Sequence, residues 1–392
     1  MGEVAQTTNG SKYNIQNKRE VYIDNLRLLI ITLVVMQHIS VTYSGMGSWY
    51  YIESGNSSLA AKIFFLFFNS FNQSYFMGLL FFIAGYFVPG AYDRRGFAKF
   101  NKDRFIRLGI PTIFYMLIIH PLIMYTMGVV GLRAKLELIP YYINYIITLN
   151  FIGGSGPLWF ALALLLFSFV YAMLRLVTVN GKRIPLIPIK TSYVLFLIIL
   201  IAMGAFIIRL VQPMGTSILN MQFCYFSQYV ILFVAGILAY RNRWFSNLEY
   251  RYGVKWLKAA LILGPILWGV LVVAGGALKS QSTELYNGGL HWQAIAYALV
   301  ESFIGVSMSI GLVALFKEKY NKQNNILKIL ADNSFAVYIF HAPIIITMAI
   351  VLKSLILPPI IKFILLCVIS LPICFIVTNY LLKQVPLLKK MI

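Results

Sequence analysis

Charge is what this sequence has least of. Asp, Glu, Lys and Arg make up 11% of its 392 residues, where soluble domains carry roughly 25%, and 60% of the chain is hydrophobic. A soluble globular protein is thereby excluded. Acidic side chains are the scarcest, 12 against 33 Lys and Arg, for a net charge of +21. Cysteine is rarer still, with three residues. Cys224, Cys367 and Cys374 all fall in apolar runs, so they read as small packing residues and not as a disulfide framework or a zinc site. No histidines pair with carboxylates at metal-ligand spacing, so no metal is expected. The polar first 20 residues lack the apolar stretch and small-residue cleavage site of a secretory signal, so the first apolar run is expected to stay in the mature protein. There is also no internal repeat at a fixed period and no second folded domain.

What the chain has in abundance is long apolar runs. A spanning helix needs about 20 apolar residues, because the hydrocarbon core is about 30 Å thick and each helical residue rises about 1.5 Å. Runs of this length without period-2 alternation must satisfy their own backbone in lipid, which makes them helices. The expected fold is an all-α integral membrane bundle of about ten transmembrane helices: 24–44, 62–88, 109–130, 157–178, 192–211, 222–240, 258–276, 291–316, 333–352 and 359–380. Residues 1–20 form a polar cytoplasmic segment and 21–392 a single membrane domain. With both termini cytoplasmic, 26 of the 33 basic residues fall inside, including Lys182, Arg183, Lys389 and Lys390. Lys62, Arg133, Lys135, Arg209, Lys279, Lys353 and Lys362 remain outside. The excess positive charge is therefore topology and attraction to the anionic lipid bilayer, and no nucleic-acid partner is expected.

Ionisable residues inside spans are costly and mark candidate sites. In the first span Arg27 and His38 stand eleven residues apart, about three turns, so they share a face at a separation of about 16 Å. Asp24 precedes Arg27 by three and lies on the same face. One helix thus presents a guanidinium near the cytoplasm and an imidazole deep in the membrane. That arrangement suits a long anionic donor whose phosphates stay at the inner surface while its reactive end reaches inward. An arginine snorkelling to the interface and a histidine bonded to a carbonyl would give the same pattern. Six basic residues lie between 94 and 107. Among them Arg104 and Arg107, three apart, form a plausible phosphate clamp, although a loop meeting lipid head groups carries the same charges. The segment 131–156, with Gly153, Gly154 and Gly156, reads either as a cap over a lumen or as an interfacial re-entrant piece.

These stretches, taken in order, resemble the bacterial acyltransferase 3 family of membrane acyltransferases, which acylate envelope glucans and polysaccharides. The resemblance runs from Asp24 to about Ile346. It rests on Arg27-x10-His38, on Gly85-Tyr86-Phe87 with the basic Phe100-x3-Arg104-x2-Arg107-x3-Pro111, on Gly156-Pro157-Leu158-Trp159-Phe160, and on Ser334-Phe335 through His341-Ala342-Pro343. It implies a ten-span core that takes an acyl group from cytoplasmic acyl-CoA, acetyl-CoA in the simplest case and succinyl-CoA otherwise. The group is delivered to a hydroxyl of an extracytoplasmic glycan or glycolipid. It also implies a catalytic role for His38, an essential donor-binding or structural role for Arg27, candidate contacts to the donor phosphates at Arg104 and Arg107, and a bacterial or archaeal plasma membrane as the setting. No appended hydrolase-like domain, of the kind some relatives carry, is expected within these 392 residues.

The other intramembrane ionisables complete the candidate set. Glu301, about ten residues into the eighth span, is a second catalytic candidate that would orient an imidazole or hold a sugar hydroxyl. His341, Asp24 and Trp159 are candidates for substrate binding. His120, before Pro121, has no matching family pattern and reads as structural. The rival function is a transporter or flippase for a sugar or lipid-linked sugar, in which the same His, Arg and Glu bind cargo or relay protons. The lack of repeat symmetry and the several separate motifs speak against it.

Overall fold

The structure, a computed structural model, describes residues 19–53, 57–131, 133–178, 188–280 and 282–384. Most of the polar 1–20 segment and both chain ends lie outside the described residues, as do Lys182, Arg183, Lys389 and Lys390. Among the described residues there are no strands, and nine helical runs are long and apolar enough to cross a membrane. One of the nine is the 73-residue run Leu59–Gly131, far longer than any bilayer requires. Gly96 breaks it with φ 69° and ψ 174°. The limbs on either side are each long enough for a crossing, so the expected second and third spans both lie within this run. The basic stretch between them is helical, not a loop.

The first helix, Val21–Ser44, is the spine of the bundle. Tyr22, Ile23, Leu26, Ile30, Val34, Val35 and Ile39 are buried along it, and it packs against Asn325–Val351, Pro359–Tyr380, Leu59–Gln73 and Trp292–Lys319. The outer helices show apolar side chains to the surroundings, as Thr191–Val211 does with Phe196, Met203 and Ile207. Hydrocarbon solvates such a face as well as a protein core would.

Glycine sets the closest approaches. Helix Phe76–Arg104 meets Phe226–Arg241 backbone to backbone, since a Cβ on Gly85 would stand 2.1 Å from the Phe233 carbonyl oxygen and one on Gly236 2.2 Å from that of Phe82. Gly236→Ala forces these helices apart and is expected to cost about 1–3 kcal/mol, as overpacking does. The measurement is the melting temperature in detergent. Gly269→Ala, whose Cβ would meet nothing within 4 Å, is the matched control and leaves melting unchanged. Equal melting of the two variants would sink the argument.

Two irregularities in the long run bear on the site. At Ser74 and Tyr75 the helix is interrupted in mid-bundle, and the buried Gln228 satisfies the break by donating Nε2–H to the Ser74 carbonyl at 2.7 Å. Farther on, the turns Phe105–Gly109 and Tyr115–Ile119 widen to π geometry just ahead of Ile110-Pro111 and His120-Pro121. A proline cannot donate the next helical bond, so the wider turn accommodates it. The second of these turns sets the position of His120.

Candidate functional site

Gly45, at φ 66°, ends the first helix in the left-handed conformation and turns the chain back on itself. The Glu53 N–H reaches the Thr42 carbonyl at 2.8 Å, and the Glu53 carboxylate accepts from Lys362 Nζ at 2.6 Å. Thus tied, the returning segment lays Trp49 on the His38 imidazole, with ring centroids 3.9 Å apart and planes 15° from parallel. His341 lies alongside at 5.1 Å and 21°. The His341 Nδ1–H donates to the carbonyls of Tyr338 at 2.8 Å and Val337 at 3.2 Å, which leaves the lone pair on Nε2. His341 is fully buried and fixed, whereas His38 is partly exposed.

His38 faces a cavity of about 1000 Å³ whose walls come from most of the bundle. Gln37, Asn69 and Gln73 line it beside His38; Trp159, Tyr229, Asn220 and Tyr297 line it farther round. Trp159 stacks on Tyr229 at 5.6 Å, and Gln73 donates to the Tyr229 hydroxyl at 3.1 Å. On another wall the Tyr50 hydroxyl stands 2.9 Å from His120 Nδ1 and 3.2 Å from the Tyr115 hydroxyl. Burial holds the Tyr50 phenol above its ordinary range, so it meets His120 as a neutral hydroxyl. The glycine segment is pinned beneath: Asn220 donates to the Gly156 carbonyl at 2.7 Å, and the Tyr338 hydroxyl donates to the Pro157 carbonyl.

Arg27, Arg104 and Arg107 gather at the other end of the first helix, close enough to repel one another. Arg27 lies over the Phe87 ring at 4.9 Å with Asp24 3.7 Å away, and Arg104 lies over Phe100 at 5.2 Å. Asp24 also bonds Arg19, which reaches Asp332 at 2.5 Å. The structure therefore groups Asp24 with the arginines, about 21 Å along the helix from His38, while it puts Trp159 on the cavity wall. Glu301 meets no imidazole. Its carboxylate accepts from Arg209 at 2.5 Å, both side chains are buried, and the guanidinium lies 5.4 Å from the Tyr225 ring and 5.5 Å from the Tyr297 ring. Those two tyrosines line the cavity, so the ion pair stands directly behind its wall. Among the described residues no three His, Cys, Asp or Glu side chains converge as metal ligands.

Sequence reasoning missed four residues of this site: Trp49, Tyr50, His120 as a cavity residue, and Arg209. For Arg209 a signal existed. It is an ionisable residue inside an apolar run, but its place near the end of the 192–211 span made it read as an outer interfacial cation.

Residues 20–379 match the model of a protein family described as "Acyltransferase domain". Among curated proteins, the "Glucans biosynthesis protein C" of three Escherichia coli strains is 34% identical over 96 residues, which is 24% of this chain and 23% of the relative. The aligned part thus spans about a quarter of those relatives. No solved structure matches.

Proposed function

Because the chain belongs to the acyltransferase family whose model covers residues 20–379, and is a multi-pass membrane protein, we propose that it carries an acyl group across the bilayer's two sides. The donor is acyl-CoA, acetyl-CoA in the simplest case, held at the arginine end in the cytoplasm. The acceptor is a hydroxyl of an extracytoplasmic glycan or glycolipid entering the cavity. The membrane is the plasma membrane of a bacterium or archaeon, with both termini inside. The observation that carries this reading is the first helix itself, with a cluster of arginines at one end and His38 on the wall of a cavity of about 1000 Å³ at the other.

In this reading His38 takes the proton of the acceptor hydroxyl as its oxygen attacks the thioester carbonyl. The C–S bond then breaks, and the departing thiolate receives the proton back from the imidazole. Trp49 and His341 fix the plane of the ring, which is orientation supplied before the substrates meet. Trp159 offers an aromatic face to the acceptor, and Arg27, Arg104 and Arg107 meet the donor phosphates. Asp24 acts by holding Arg27 and Arg19 in place.

The test is the full chain in liposomes with acyl-CoA outside and glycan acceptors within, reading acyl-CoA consumption and acyl transfer by mass spectrometry. If acyl-CoA neither binds nor turns over while a sugar crosses the bilayer, the transporter reading replaces this one. A finer prediction concerns the clamp. Charge-assisted bonds contribute about 1.5–3 kcal/mol each, and because Arg104 is half-buried and Arg107 exposed, the lower end applies, about tenfold in affinity for each. Replacing both by Gln should weaken acyl-CoA binding accordingly while abundance holds. Unchanged donor affinity with disturbed insertion would make the basic stretch a topology signal only.

A further inference from the structure

We propose that the cavity selects for uncharged partners: the acceptor is a neutral sugar residue, and the acyl group delivered to it carries no charge. This rests on the acyl-transfer reading above and adds the substrate class to it. The observation is what the wall is made of. Among the described lining residues there is no Asp, Glu, Lys or Arg, although the space amounts to about 1000 Å³. What lines it is flat aromatic surface, as at Trp49, Trp159 and Tyr229, interleaved with carboxamides, as at Gln37, Asn69 and Gln73. A pyranose offers the matching chemistry, an apolar C–H face for an aromatic ring and a rim of hydroxyls. Each hydroxyl is donor and acceptor at once, and so is each carboxamide, so the rim is satisfied without any formal charge.

A charged substrate fares differently. A carboxylate or phosphate taken out of water into this space requires a cation or several converging N–H donors, and an ammonium requires an anion. The charged groups behind the wall cannot serve. Arg209 and Glu301 bond each other at 2.5 Å, so each sign is already cancelled by the other. Recruiting either for a ligand would strand its partner as a buried unpaired charge. The same argument applies to the acyl group at His38, where the neighbours are the rings of Trp49 and His341. A succinyl chain would bring a carboxylate with no cation to meet it, and an acetyl group would bring none.

The experiment compares cells that carry this gene with cells that lack it and identifies, by tandem mass spectrometry of envelope glycans and glycolipids, the fragment that loses an acyl group. The expected result is loss of an uncharged acyl mass from a neutral hexose or N-acylated amino sugar. Loss of a succinyl mass, or of any acyl group from a residue bearing a carboxylate, phosphate or free amine, overturns the inference and leaves acyl transfer standing. No gene-dependent acyl group on any glycan overturns both together.

Discussion

His38→Gln is expected to give a protein that inserts, folds and binds acyl-CoA, yet transfers acyl groups about 10²–10⁴-fold more slowly, the usual contribution of a positioned general base. Glutamine keeps most of the imidazole's size and its capacity to hydrogen-bond, so the cavity wall and the stack under Trp49 lose little. What it cannot do is accept a proton from a hydroxyl near neutral pH. Donor binding should be untouched, because the arginine group lies about 16 Å along the helix from His38. The measurement is single-turnover transfer beside acyl-CoA affinity and membrane abundance in the same samples. Near wild-type turnover would make His38 an orienting residue and move attention to His120, the other imidazole on the cavity wall. A variant that fails to reach the membrane would instead place His38 in the packing of the bundle.

The bundle was legible because its cause is local. Run length and hydropathy decide whether a segment spans, and both are read directly from residues such as 192–211 or 359–380. The joint between the second and third spans was not legible in the same way. Its charges read as a loop, but helix continues through them and a single glycine, Gly96, makes the bend. In the site, His38 and Arg27 stood out because ionisable residues in a span are rare and because their spacing is periodic. Trp49 gave no such signal. Its position on His38 depends on the turn at Gly45 and on an ion pair between Glu53 and Lys362, 309 residues apart in sequence. His120 carried no motif, and its partner Tyr50 comes from that same returned segment. Pairings across such distances follow from the closed bundle, and spacing along one helix cannot reveal them.

Glu301→Gln is expected to be the most damaging single change for stability. It removes the carboxylate that faces Arg209 and leaves a fully buried guanidinium without its counter-ion, a lesion worth about 3–5 kcal/mol. Arg209→Met should be comparably severe, since it strands the carboxylate instead. The informative variant is the double one, Arg209→Met with Glu301→Leu. Replacing a buried pair by apolar residues of similar volume is often neutral or stabilising, so abundance and melting temperature should return towards wild type. That recovery would show that the losses in the single variants come from unpaired charge and not from a missing contact. Activity then decides what the pair is for. Arg209 lies against Tyr225 and Tyr297, and Glu301 reaches no imidazole, so the pair acts by setting the cavity wall and the double variant should retain turnover within about tenfold. An abundant, well-folded double variant with no transfer activity would mean that Glu301 acts on the chemistry itself. It would also remove one support from the inference that the cavity handles only uncharged groups, because a carboxylate needed for turnover cannot be one that Arg209 keeps permanently cancelled.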